Sequence, residues 1–427
     1  MLLDERVVPN LEQPSRFWRV ASHLSIVAVA ALCKAFLYGL NTTEVYGRDG
    51  FLKLLKSRAK YQDRQRGLLT VSNHVSVLDD PLLWGTLPLS FTAQHLYQNH
   101  RFALGSHDII FKNAFTSHFF TSGQTLPTHR QAHSPDAGGP FQATMTEAVG
   151  LFSRISTTMP KLSPFTVQAV QHLQSAARWP RDCVDPFSDL PSPPAYASSP
   201  KDVRLYHAPS RYASNSFSWI HVFPEGMIYQ SPTFAMRYFK WGFTRLILEP
   251  AECPDVVPIF IEGTDQIMHE SRAWPRFIPR IGKAVTVTFG EPVDTDAVFT
   301  DLRQRWRALE DAEKRGQQER QRQRQRQRQQ KSAKYSAEVS VEGEQDSSEN
   351  EVGLLGYIPA DSPLAISPEA QALRIECAHR VRELVLAVRR SRSYPDDDPK
   401  SGYAATWARE GPKREGLKDD GTSVRDI

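Results

Sequence analysis

The 427-residue chain carries a formal net charge of +4, 23% charged and 40% hydrophobic residues, with 30 prolines. That length holds one large domain or two, but long polar stretches cannot build a core, so a single α/β domain with insertions is expected. The mild basic excess favours an anionic lipid surface as readily as nucleic acid, and the four cysteines (Cys33, Cys183, Cys253, Cys377) lie far apart without a C-x-x-C pair, which supports neither a zinc site nor a disulfide framework.

Residues 1–15 form a leader whose Asp4, Glu5 and Glu12 argue against an Arg-rich, acid-poor transit peptide. Residues 16–41 are expected to form a membrane-associated helix. The unbroken apolar part, 26–33, falls short of the roughly 20 residues a span needs, and His23 and Lys34 interrupt its flanks. An interfacial or half-inserted helix follows, with a core helix or a signal peptide as rivals. At 68–88, LLTVSNHVSVLDDPLLWGTLP reads as strand, polar turn and helix, and places His74 and Asp79 in the turn. An imidazole held in one tautomer by a carboxylate suits proton removal from a hydroxyl that attacks a carbonyl, so the pair is the catalytic candidate. A His and an Asp five apart occur about once by chance in a chain of this composition. On this stretch alone the reading in which His74 caps a turn and Asp79 with Asp80 starts a helix therefore stays open.

Residues 131–213 are expected to be a partly disordered insertion, with Gly and Pro at 138–140, a Pro/Ser-rich segment at 186–200, and helix-like stretches at 141–155 and 164–177. SFSWIHVFPEG at 216–226 is an apolar strand that ends in Pro-Glu-Gly, which leaves Glu225 at a strand's carboxyl end, where α/β sheets place ligands. From Arg237 to Arg245 basic and aromatic residues interleave and open a helix that runs to Leu248; Arg237, Lys240 and Arg245 would cradle lipid phosphates. Strands are expected at 256–261 and 284–289. Residues 301–360, with QRQRQRQRQQ after Arg320 and an acidic run at 338–351, read as a charged low-complexity insertion. A C-terminal helix at 361–392 should pack Leu373, Cys377, Val381, Leu384 and Val388 on the catalytic domain, with its arginines elsewhere, and 393–427 reads as a disordered tail.

N-H-V-S-V-L-D-D-P at 73–81 followed by F-P-E-G at 223–226 resembles the glycerolipid acyltransferase superfamily. The D-D-P-L-L-W-G run, S-H-F-F at 117–120 and F-K-W-G at 239–242 are similar to its mitochondrial transacylase branch, which remodels cardiolipin. The resemblance covers roughly residues 15–300 and implies the superfamily's fold for residues 42–300, a central mixed sheet flanked by helices. It implies His74 as general base oriented by Asp79. Glu225, Gly226 and Arg130 would belong to the substrate-binding blocks; the match at Arg130 is loose, because Leu126 and Pro127 replace the usual aromatic and isoleucine after Gly123. It further implies no metal or organic cofactor, no nucleic acid, and phospholipid and lysophospholipid partners: phosphatidylcholine as donor, monolysocardiolipin as acceptor, cardiolipin as product. Location would be mitochondrial membranes facing the intermembrane space. An acyl-CoA-dependent lysophosphatidic acid acyltransferase, or a non-enzymatic membrane-shaping protein, remains as the alternative, and oligomeric state stays open.

Overall fold

The computed structural model describes residues 13–14, 16–94, 99–130, 138–154, 212–272, 274–335, 358–359, 362–408 and 423–425. In chain order they form α1 (Arg16–Gly39), β1 (Thr42–Tyr46), α2 (Arg48–Ser57), β2 (Leu68–Ser72), α3 (Asp79–Gly85), α4 (Leu89–Gln94), β3 (Phe102–Ser106), α5 (His107–Ile110), α6 (Ala114–Ser122), β4 (Thr125–Thr128) and α7 (Ala143–Leu151). There follow β5 (Trp219–Val222), β6 (Ile228–Gln230), α8 (Arg245–Leu248), β7 (Asp255–Glu262), α9 (Thr264–Ile267), β8 (Ala284–Phe289), α10 (Thr295–Tyr335), α11 (Pro363–Ile366), α12 (Pro368–Ser391), α13 (Ala404–Trp407) and β9 (Ser423–Arg425).

Short apolar runs buried on both faces belong in a helix-covered parallel sheet. β2 and β5 are such runs, buried at every residue, and they sit inside a seven-stranded sheet of order β1-β8-β7-β2-β5-β3-β4. All its pairs are parallel except β7 with β8. Alternation of side chains sends Leu69 and Val71 of β2 to a core shared with α7, α8, α10 and α12, and Leu68 to a second core under α2, α3 and α4. β2 is flanked by β5 and β7, with Val71 opposite Val222 and Ser72 opposite Ile259. Three strands therefore end together, and the segments after Ser72, Val222 and Glu262 converge on one spot.

α1 lies along the domain. Ser22, Cys33 and Leu37 face inward, Ser22 Oγ donates to the Ser122 carbonyl (2.6 Å), and Lys34 Nζ donates to the Leu87 carbonyl (3.3 Å). Phe17, Val20, Leu24 and Leu32 point outward and are exposed, an apolar stripe at helical spacing.

Several boundaries differ from the sequence expectation. The segment 138–154 is part of the core, because α7 buries Met145, Ala148, Val149 and Leu151; the expected stretches at 164–177 and 186–200 lie outside the described residues, as do the leader's first twelve residues and the acidic run at 338–351. The first turns of α10 bury Phe299, Leu302 and Trp306, so the charged segment starts as a core helix. No helix opens at Arg237: residues 237–240 are extended, and the α-helix begins at Arg245. α12 turns arginines inward. Arg382 donates to the Met236 and Arg237 carbonyls (2.7 and 3.0 Å) and Arg389 to those of Thr233 and Phe234 (both 2.9 Å), which supplies donors to a segment without a strand partner. Residues 393–408, mostly exposed, touch the domain at a few points. Asp397, whose side chain is enclosed, accepts from Arg382 Nη2 (2.8 Å) and from the Met236 N–H (3.0 Å), and Trp407 lies against Tyr229.

Candidate active site

His74 follows β2 by two residues. Its N–H donates to Glu225 Oε1 (2.9 Å) and its carbonyl accepts from the Tyr229 N–H (2.9 Å), so the Pro-Glu-Gly turn clamps the backbone that carries the imidazole. The ring stacks on Phe223, centroids 4.2 Å apart, and its Nδ1 lies 2.9 Å from Asp79 Oδ2. Asp79 is fully buried at the start of α3. Its Oδ2 also accepts from the Val75 and Ser76 N–H groups (2.6 and 2.8 Å), and its Oδ1 accepts from Thr264 Oγ1 (2.5 Å). An ionised carboxylate only accepts, so this arrangement places the proton on Nδ1 and leaves Nε2 as the basic nitrogen.

Further residues hold the turn from outside the two motifs. Asn73 exchanges two hydrogen bonds with the Ile261 backbone (2.8 and 2.9 Å), and Gln230 Nε2 donates to the Val75 carbonyl (2.7 Å). Beneath, His221 is buried between Thr70 and Ser72, and burial pushes its pKa down to about 3, so it stays neutral. Asp80 accepts from Trp84 Nε1 (2.9 Å) and pairs with Arg101, which outweighs the upward push of burial and holds its carboxyl below the usual range.

His74 faces a cavity of about 1380 Å³, beyond the roughly 300–1,000 Å³ of ordinary small-molecule sites. Its wall is mostly apolar. Ile26, Val29 and Leu32 of α1, with Val77 and Phe119, contribute to it; because Leu32, Val77 and Phe119 are also exposed, the mouth opens beside the apolar stripe. Cys33 lines the cavity as well, but burial, followed by the Asp80 charge, raises its thiol to about 11, so it carries no thiolate at neutral pH.

The substrate-binding candidates divide. Arg130, Gly226 and Lys240 line the cavity together with His74. Arg130 pairs with Asp108, and its buried Nη1 finds no acceptor among the described residues. Gly226 has φ +63°, a left-handed conformation that favours glycine, and the Lys240 side chain crosses the turn where a Cβ would lie 2.8 Å from its Cδ. Glu225 is off the cavity wall. It is buried and bridges the His74 and Arg237 N–H groups (2.9 and 3.0 Å), while burial, against those two donors, lifts its carboxyl to about 7. Arg237 is also off the wall: its buried guanidinium sits 4.2 Å from the Trp407 ring. Arg245 is fully buried, donating twice to Glu249 (2.8 Å each) and once to the Pro140 carbonyl (2.8 Å). Glu225, Arg237 and Arg245, expected from the sequence to bind substrate, are each buried with partners inside the protein and are not among the residues that line the cavity.

Thr264, Phe223 and Gln230 escaped the sequence reading. Phe223 sits inside the F-P-E-G motif and was open to notice; Thr264 and Gln230 reach the turn only through the fold.

No family model matches the chain. It is 33% identical over 303 residues to the tafazzin of Saccharomyces cerevisiae, covering 69% of this chain and 68% of the relative. It is 30% identical over 299 residues to the tafazzin of Drosophila melanogaster (70% and 58%), and 27% identical over 275 residues to the N-acylphosphatidylethanolamine synthase of Arabidopsis thaliana (64% and 70%). Among solved structures, the 1-acyl-sn-glycerophosphate acyltransferase PlsC of Thermotoga maritima aligns with a TM-score of 0.32 at 15% identity, covering 70% of this chain and 79% of that one.

Proposed function

This chain belongs to the tafazzin family and is a lipid acyltransferase, and we propose that it is a CoA-independent transacylase that remodels cardiolipin by acylating monolysocardiolipin from a second phospholipid such as phosphatidylcholine. The observation that carries the reading is a histidine with a fixed tautomer, His74 on Asp79, facing a large apolar cavity whose mouth is rimmed by exposed apolar side chains. An apolar mouth of this kind suits substrates whose chains are drawn from a bilayer.

In the proposed reaction the acceptor's free hydroxyl gives its proton to His74 Nε2 as its oxygen attacks the donor's ester carbonyl. The new C–O bond forms and the carbonyl oxygen becomes an oxyanion. Collapse breaks the bond to the donor's glycerol oxygen, which leaves with the proton from His74. One phospholipid becomes a lysophospholipid, the other gains its chain, and no water is consumed. Asp79 holds Nδ1–H throughout and favours the transient imidazolium; positioning and general base catalysis share the rate enhancement. Arg130 Nη1 and the Lys240 ammonium would take the headgroup phosphates, a forked donor and a point charge respectively.

α1 is long and apolar enough to cross a membrane by length and composition. Because its inner face is packed on the domain along its length, crossing would drag that domain into the hydrocarbon, so we place α1 in one leaflet with its outer stripe toward the acyl chains. By family resemblance the membranes are mitochondrial and the face is the intermembrane space.

The test supplies purified protein with acyl-labelled phosphatidylcholine and monolysocardiolipin and omits CoA. Label should appear in cardiolipin with equimolar lysophosphatidylcholine. Label that moves only when acyl-CoA is the donor replaces this reading with the lysophosphatidic acid acyltransferase, and, in a parallel reaction with phosphatidylethanolamine added, label on its amine headgroup replaces it with an N-acylating synthase.

A further inference from the structure

We propose that the segment 274–281 is a second membrane-docking element, and that its partner is the surface of a bilayer rich in anionic phospholipid. Trp274 and Phe277 are 85% and 73% exposed, and Ile278 and Ile281 are exposed beside them. Four large apolar side chains in eight residues of water-facing loop form a patch of the kind soluble surfaces avoid.

The loop is also firmly held, which distinguishes it from a slack connection. Buried Arg272 staples its base, donating to the His269 and Arg276 carbonyls (2.8 and 2.5 Å), and Arg276 Nη2 donates back to the Glu270 carbonyl (2.8 Å). Its far end is stitched to the carboxyl end of α1, where Gly282 N–H donates to the Leu40 carbonyl (2.8 Å) and Lys283 N–H to Asn41 Oδ1 (3.0 Å). Tyr38 and Leu40 at that end of α1 are exposed, so the loop patch continues the apolar stripe.

Charge selects the partner. Arg276, Arg280 and Lys283 accompany the apolar residues and no acidic residue occurs from 271 to 283, a mixture suited to aromatic and aliphatic insertion beneath acidic headgroups. The loop is wired to the active site as well: Gln230 accepts from the Glu270 N–H (3.0 Å) and donates to the carbonyl of Val75, the neighbour of His74. Two contacts, stripe and loop, would fix how the cavity mouth meets the bilayer. The inference rests on the membrane-bound acyltransferase reading for the occupant's identity and is tested by binding, independently of acyl transfer.

Full-length protein is floated with vesicles of phosphatidylcholine alone or with added phosphatidylglycerol, alongside Trp274→Ser/Phe277→Ser and Arg280→Gln/Lys283→Gln. The aromatic pair should weaken partition about a hundred-fold on both vesicles, by the burial of two large side chains. The basic pair should weaken it about tenfold or more on the anionic vesicles alone. Lipids brominated in the acyl chain should quench wild-type fluorescence more than that of Trp274→Phe. Unchanged partition in both variants, equal quenching, or a wild-type dimer that the aromatic variant converts to monomer without loss of vesicle binding would overturn the proposal. Should the wild type fail the CoA-free assay while these binding losses stand, the function reading falls and the docking element survives.

Discussion

Replacing Thr264 with valine probes the orientation of the catalytic pair while sparing both of its members. The hydroxyl lies 2.5 Å from Asp79 Oδ1, both residues are buried, and valine has nearly the same shape without the donor. A hydrogen bond to a buried charge contributes about 1.5–3 kcal/mol, so Tm should fall by roughly 3–12 °C. Asp79 would keep its three donors on Oδ2 alone and gain freedom to swing, carrying the imidazole with it. A misplacement of about 1 Å costs on the order of 100-fold, within the roughly 10²- to 10⁴-fold that a general base supplies. We therefore expect kcat to drop about ten- to hundred-fold with KM little changed, since Thr264 is not part of the cavity wall, and Thr264→Ser to restore most of it. Initial rates with vesicle substrates, taken well below Tm, provide the measurement. A folded Thr264→Val protein that transfers acyl groups at the wild-type rate refutes the role of Thr264 in holding Asp79 for catalysis.

Two other expectations concern acid stability and lipid entry. His221 has its folded pKa lowered from 6.5 to about 3 by burial, so between those values the unfolded chain binds a proton that the folded chain refuses and stability falls as pH falls; at pH 4.5 the loss is about 3 kcal/mol, and denaturant titrations at pH 7 and 4.5 should show a flatter dependence in His221→Gln. Leu32→Asp puts a charge on the exposed rim of the cavity mouth without touching the core, so transfer from vesicles should fall about tenfold or more while transfer between short-chain lipids in detergent falls less.

What was legible in the sequence was local. His74 and Asp79 share one turn, the strand before them is a continuous apolar run, and the strand expected at 284–289 is β8 to the residue. Thr264 lies 185 residues from the aspartate it holds, and only the pairing of β2 with β7 brings them together. Arg374, Arg382 and Arg389 were read as solvent-facing because charge predicts exposure; the extended segment 233–237 needs donors for its carbonyls, and two of the three supply them. The segment 393–408 reads as disordered from its polar, proline-containing composition, but Asp397 meets Arg382 and Arg389 in the interior. The burial of Arg245 has a local sign in the sequence, since Glu249 four residues on offers a helical ion pair.

Whether His74 takes the acceptor's proton is decided by acyl transfer with purified His74→Ala protein in CoA-free vesicles. The histidine side chain is only partly enclosed and the clamp from Glu225 engages its backbone, so the variant should fold, float with vesicles and melt near the wild-type temperature. Label transferred from phosphatidylcholine to monolysocardiolipin should fall by about 10²- to 10⁴-fold. Transfer at a near-normal rate by the folded, membrane-bound variant would contradict proton removal by His74.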